Sequence, residues 1–257
     1  MSYLHLENVF VRFSVYNARG RSLKSTLARA TTGGRIASDT GCLSVEALKG
    51  VDLKIEGGDR VALLGHNGSG KSTLLRVMAG IYEPSSGSIN SEGRITAMLD
   101  PNLGISPEAT GWDNVETRGI LLGLNGNQIE KLKDDVAELS GLGNFLEMPV
   151  RTYSAGMRMR LAFFVSTSIS AEILLFDESI LAGDANFIQM ARKRVNQLIA
   201  DSKILVLASH SQIILKSLCN RGVLMNHGEA TFYQDVEEML DVYNQQVKDQ
   251  QTSKVQA

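Results

Sequence analysis

Lys71 and Ser72 close the run Gly65-His66-Asn67-Gly68-Ser69-Gly70-Lys71-Ser72, which has the spacing GxxxxGK[ST]. That spacing does phosphate chemistry. The glycines let the backbone curl until amide N–H groups point inward at phosphate oxygens, and the start of the following helix adds its partial positive charge. Lys71 then reaches the β- and γ-phosphates, Ser72 offers a hydroxyl to Mg²⁺, and Thr73 leads into the next element; His66 fills a variable position. Roughly a hundred residues later, Ile173-Leu174-Leu175-Phe176-Asp177-Glu178 ends an apolar run in two carboxylates. Asp177 suits the metal, and Glu178 suits a base that orients water and takes its proton. Between these lies Tyr153-Ser154-Ala155-Gly156-Met157, where Ser154 reads as the N-cap of a helix with the apolar face Leu161, Phe164, Val165 and Ile169. Ser209-His210 follows a third apolar run.

Residues so far apart in the chain need a framework that gathers them at one edge. The runs Val61–Leu64, Ile173–Phe176 and Ile204–Ala208 read as buried strands with polar groups at their carboxyl ends, the edge where open α/β sheets bind ligands. They alternate with segments of helical period, so the expected fold is α/β: a mainly parallel sheet, an antiparallel β part and an inserted helical subdomain. The insertion falls at about 107–170, with Gln128 to Ser140 among its helical text. The organisation expected is one nucleotide-binding domain over 1–245 and a polar C-terminal tail over 246–257, with polar, fraying chain beyond Asp241.

Composition narrows the class. The chain has 257 residues, enough for a substantial core, and 26 Lys plus Arg against 28 Asp plus Glu leave a net charge of −2. Attraction of the whole molecule to nucleic acid or to an anionic membrane therefore has no support. Cys42 and Cys219 stand far apart without metal-ligand spacing, which points to neither a disulfide framework nor zinc. No apolar run reaches membrane-spanning length, and the N-terminus lacks a secretory pattern, so a cytoplasmic location is expected. Residues 12–38 carry Arg12, Arg19, Arg21, Lys24, Arg29 and Arg35 without one acid, either a solvated loop or a surface for a membrane partner.

Together these motifs resemble the ATP-binding-cassette (ABC) ATPases over residues 4 to 240. Ser154 and Gly156 match the family's signature loop, and Tyr153, Ala155 and Met157 depart from it. Asp184 in Leu181-Ala182-Gly183-Asp184 matches the D-loop acid, His210 the switch histidine, and Phe13 the aromatic that stacks on adenine, with Tyr16 a near competitor. Asp100, after Ile95–Leu99, stands where the family carries Gln, and as a metal neighbour it would add a charge beside Asp177 and Glu178. The resemblance implies a homodimer sandwiching two ATPs with Mg²⁺, each between Lys71 of one chain and Ser154, Ala155 and Gly156 of the other.

Within the family, Tyr-Ser-x-Gly-Met, Asp177–Phe187 and Thr110-Gly111-x-x-Asn114-Val115 look like the polysaccharide-export branch. That branch moves O-antigen, capsule or teichoic-acid chains on lipid carriers, which implies a polytopic membrane subunit as partner at the cytoplasmic face of a bacterial inner membrane, with a lipid-linked glycan as indirect partner. Three alternatives compete. A DNA-repair ATPase would interrupt the cassette with sustained heptads between Ser72 and Ser154, which are absent from the sequence, and a translation ATPase would carry two phosphate loops. An importer subunit is left for gene neighbourhood to distinguish.

Overall fold

The computed structural model describes residues 2–15, 36–39, 42–99, 104–168, 171–177 and 185–255; of residues 15, 36–39, 42–43, 185–186 and 250–255 it describes the backbone only. The runs read as strands are strands because both of their faces are covered. β4 (Arg60–Gly65), β7 (Ile173–Asp177) and β8 (Ile204–Ala208) lie parallel in a six-stranded sheet of order β10-β9-β4-β8-β7-β6. In this sheet β6 is Ile95–Met98, β9 is Arg221–Asn226, and β10, Glu229–Tyr233, is antiparallel to β9. Val61 pairs with Val206, and Phe176 with Leu207. Period-two alternation then sends side chains to two different cores. Val61, Leu63, Leu175 and Val206 enter one cluster; Ala62, Leu64, Leu174 and Leu207 enter the other. Apolar residues at every position are what such a doubly covered strand requires.

The first cluster is roofed by a four-stranded antiparallel sheet, β2-β3-β1-β5, made of β1 (Tyr3–Val15), β2 (Ile36–Asp39), β3 (Cys42–Glu56) and β5 (Ser86–Glu92). Leu4, Leu6, Leu48 and Ile55 pack from this roof onto Leu74, Leu75 and Met78 of α1 (Lys71–Met78). The second cluster sits beneath the inserted helices α2 (Gly111–Leu121), α3 (Gly126–Ser140) and α4 (Ala155–Thr167). Capping boxes start two of them: Thr110 with Asp113 for α2, and Asn125 with Gln128 for α3. α4 differs from the expected one-faced helix. Leu161 to Val165 are all buried, so its middle turn is covered all round, with Phe163 and Phe164 edge-on to Phe187 of α5 (Ala185–Asp201).

α6 (Gln212–Leu218) and α7 (Val236–Val255) complete the described elements. The tail expected to fray is helical through Val255. Val242 and Tyr243 still pack on the core, and the Gln212 and Asn244 amides exchange hydrogen bonds of 2.7 and 3.2 Å, so tertiary contacts hold the helix past the point where composition turns polar. Among the described residues no helix is long and apolar enough to cross a membrane. Arg12 of the basic segment is paired with Glu46 at 2.9 Å; Arg19, Arg21, Lys24, Arg29 and Arg35 lie outside the described residues.

Candidate functional site

A cavity of about 800 Å³ opens at the carboxyl ends of β4, β7 and β8. Asn67, Gly68, Gly70, Lys71, Ser72 and Thr73 form its floor; Asp177 comes from β7, and Ala208, Ser209 and His210 follow β8. The remaining wall belongs to the antiparallel sheet: Phe13 on β1, with Val45 and Ala47 on β3. Five stretches of sequence thus meet here, three brought to one edge by the parallel register and two supplied by the antiparallel sheet.

The floor is shaped by glycine. Gly65 has φ +154°, and a Cβ there would stand 2.3 Å from the Met225 carbonyl oxygen; Gly70 has φ +116°, with a Cβ 2.9 Å from the Ala47 carbonyl oxygen. No other residue lets the loop run this close to β9 and β3. Gly70 also caps α1 without a side-chain acceptor, whereas Thr110, Asn125 and Ser154 each cap their helices with a side-chain oxygen. The first amides of α1 are therefore left for a ligand, together with the positive end of the helix. Behind the loop, the turn between β9 and β10 acts as a brace: Gly228 N–H donates to the Ser69 carbonyl at 2.8 Å.

The Lys71 ammonium donates to the Gly65 carbonyl at 2.6 Å and to the His66 carbonyl at 3.1 Å. Burial pulls it below the usual lysine range, and the negative charge of Asp177 works in the other direction. Gly65, His66 and Ser69 belong to the same loop without lining the cavity. Ser69 is fully buried, and its hydroxyl oxygen and His66 Nε2 are buried without a hydrogen-bond partner among the described residues. His66 Nδ1 contacts the Asn67 carbonyl at 2.9 Å, and its ring lies 4.6 Å from that of His227, centroid to centroid. Phe13 is 41% exposed and is held edge-on by Tyr82 at 5.5 Å, leaving a ring free to meet a flat ligand at the mouth.

Ser154 caps α4, its hydroxyl oxygen accepting the Met157 amide at 3.2 Å. Ser154, Ala155 and Gly156 are exposed, and none of them lines the cavity. The turn is anchored from within the helical layer. Tyr153 is buried and its hydroxyl donates to the Phe145 carbonyl at 2.5 Å, while the Arg158 guanidinium donates to the Tyr153 carbonyl at 2.6 Å. Glu178, Asp184, Asp100, Tyr16 and Ile169 lie outside the described residues. Val45, Ala47 and the brace from Gly228 were not foreseen. The only sequence signal for them is the alternation Val45-Glu46-Ala47, which marks a strand without saying what it faces.

Comparison with known proteins agrees with this geometry. Residues 48–180 match the ABC transporter family profile. The chain is 44% identical to the O-antigen export system ATP-binding protein RfbE of Yersinia enterocolitica, over 89% of this chain and 96% of that protein. It is 36% identical to the O-antigen export system ATP-binding protein RfbB of Myxococcus xanthus, and 35% identical to the teichoic acids export ATP-binding protein TagH of Listeria innocua. It spans only 52% and 60% of those two relatives' lengths. A dimeric ATP-binding cassette solved in a post-hydrolysis state with ADP and Pi shares the fold, with a TM-score of 0.65 at 19% identity over 91% of this chain and 98% of the other. With its phosphate loop, Asp177 strand and capped Ser154 turn in this arrangement, the chain belongs to the ABC transporter family, as an ATP-hydrolysing, nucleotide-binding subunit.

Proposed function

We propose that this chain drives export of a lipid-linked polysaccharide through a separate membrane subunit, acting as a homodimer that closes on two ATPs at the cytoplasmic face of a bacterial inner membrane. The observation that carries the substrate class is the 44% identity to an O-antigen export ATP-binding protein along 96% of that relative's length, supported by the teichoic-acid relative. The dimer is supported by the exposed Ser154–Gly156 turn, which stands outside the cavity of its own chain and needs a second chain's phosphates to act on.

The loop amides and Lys71 bind the β- and γ-phosphates, and Phe13 packs against the base. Ser72 and Asp177, a hydroxyl and a carboxylate lining one cavity, are the oxygen donors that a hard divalent cation takes, so they fit Mg²⁺. When bound, that ion neutralises phosphate charge. Glu178, next after Asp177 in the chain, takes the proton of the attacking water; His210, at the end of β8, faces the terminal phosphate. Across the dimer, the partner's Ser154–Gly156 turn presents a helix N-terminus to the same phosphate, and Asp184 lies at the dimer contact. Loss of that phosphate removes the bridge and the dimer opens.

Glu178→Gln tests the reading. The amide keeps the size of the carboxylate but cannot accept the water proton, so ATP binding persists, hydrolysis nearly stops and an ATP-bound dimer accumulates in gel filtration. In the native host the variant removes the surface glycan while its lipid-linked precursor builds up inside. Turnover at the parent rate would remove Glu178 from the mechanism, and an unaltered surface glycan would overturn the export assignment.

A further inference from the structure

At the amino end of β6, away from the carboxyl edge that carries the phosphate loop, a crevice of about 550 Å³ is lined by residues of the helical layer and of the sheet edge. Arg94 enters it from the amino end of β6, Arg194 from α5, and Gln128, Lys131 and Asp135 from α3; Ser168, directly after α4, closes it. Three cations and one carboxylate therefore share one concavity. Lys133, one turn-face away on α3, is ion-paired to both Glu116 and Glu130, and Lys203, at the same edge of the sheet, to Glu172. Arg94, Lys131 and Arg194 have no such carboxylate among the described residues. Arg194 spends one donor on the Thr167 carbonyl at 3.1 Å, which fixes the guanidinium beside the end of α4.

Two guanidinium forks, an ammonium and an amide form the donor set that recognises phosphoryl oxygens, while the Ser168 hydroxyl spends its proton on the Phe164 carbonyl at 2.7 Å. The volume exceeds what a single inorganic ion fills. We propose that this crevice is a second anion site, taking the phosphoryl group of a phosphate ester or diphosphate, and that its occupant ties the helical layer to the sheet. The tie has a route to the nucleotide. The backbone of Arg94 is fixed to the sheet, its carbonyl accepting both the Glu172 and the Ile173 amides at 3.0 Å, while Ser168 ends the helix that Ser154 begins. An anion drawn between Arg94, Arg194 and Lys131 restrains the far end of the signature helix and so biases where its near end stands, a coupling between two sites that must act in both directions.

The test uses the full chain with the phosphate loop filled by saturating ADP and Mg²⁺, so that the probe, inorganic pyrophosphate, reads only the second site in calorimetry. Saturable binding is expected, weakened roughly tenfold or more in the double variant Arg94→Gln/Lys131→Gln, with ADP affinity and circular dichroism unchanged. Lys203→Gln serves as the control for general surface charge and should bind pyrophosphate like the parent. No saturable binding, binding that survives the double variant, or equal weakening by Lys203→Gln would each overturn the site. Vesicles of phosphatidylglycerol against phosphatidylcholine then identify the source. If anionic vesicles displace pyrophosphate from the parent chain, the site takes a lipid headgroup; if they are inert, it takes a soluble phosphate. Either result upholds the site.

Discussion

The Lys71 ammonium donates to the carbonyl oxygen of Gly65 at 2.6 Å, so the cation proposed to face the phosphates is bonded to the first residue of its own loop. One side chain thus both shapes the loop and supplies its charge. Replacing Lys71 by Ala removes both contributions. ATP affinity in equilibrium titration is expected to fall at least tenfold, about the value of one charge-assisted hydrogen bond. Because burial lowers the Lys71 pKa, binding to the parent should weaken on raising pH before an ordinary lysine would titrate. Equal affinities, or a flat alkaline profile, would count against this role.

Gly65→Ala tests the shape of the loop apart from its charge. The added Cβ would meet the Met225 carbonyl of β9 at 2.3 Å and the hydroxyl of Ser69, within the loop itself, at 2.7 Å, so loop and β9 must separate. A loss of roughly 1–3 kcal/mol in urea unfolding is expected, as for other overpacked sites, together with weakened nucleotide binding. A parent-like midpoint would show that the loop can yield.

Tyr153→Phe addresses the anchoring of the signature turn. It leaves the ring in place but strips the Phe145 carbonyl of its 2.5 Å partner, at a cost of about 1–3 kcal/mol where the acceptor stays dry. If the bond also positions Ser154, turnover drops more than the apparent ATP affinity of one chain, whose cavity the turn does not line. A fall confined to nucleotide binding would contradict that.

Glu172 carries the acid sensitivity. Its hydrogen bonds from Lys203 and Ser2 and from the Arg94 backbone lower the carboxyl to about 2, well below its free value of 4.5. A carboxylate depressed in the folded state adds stability above the unfolded pKa, and that stability is lost as pH falls from about 4.5 toward 2. The group is half-exposed, so salt should weaken the effect. Glu172→Gln is expected to flatten this part of the urea midpoint against pH, while identical slopes for variant and parent would place the acid sensitivity elsewhere.

What could be read in advance was local. The strands Val61–Leu64, Ile173–Phe176 and Ile204–Ala208 were legible because burial on both faces leaves unbroken apolar text. The Ser154 cap was legible because its bond to the Met157 amide spans three residues. The wall made by Val45 and Ala47 was not, since it depends on which sheet β3 joins and how β3 pairs with β1, through a ladder that carries register shifts between Leu6 and Arg12. The brace from Gly228 to Ser69 joins residues far apart through parallel pairing of β4 with β9, and no spacing rule encodes it. The course of α7 past Asp241 is not legible for a related reason: Val242, Tyr243 and Asn244 find partners that only the folded chain provides.

The placement of Ser154–Gly156 outside the cavity of its own chain has a genetic consequence. Each chain of the proposed dimer contributes the phosphate loop of one site and the signature turn of the other. A loop-defective chain, Lys71→Ala, and a turn-defective chain, Ser154→Ala, are each inactive alone. In a mixed dimer both defects fall in the same site, and the other site is built wholly from intact parts. Two dead alleles expressed together should therefore complement one another, recovering roughly a quarter of the parent's turnover if the chains pair at random and the two sites act independently.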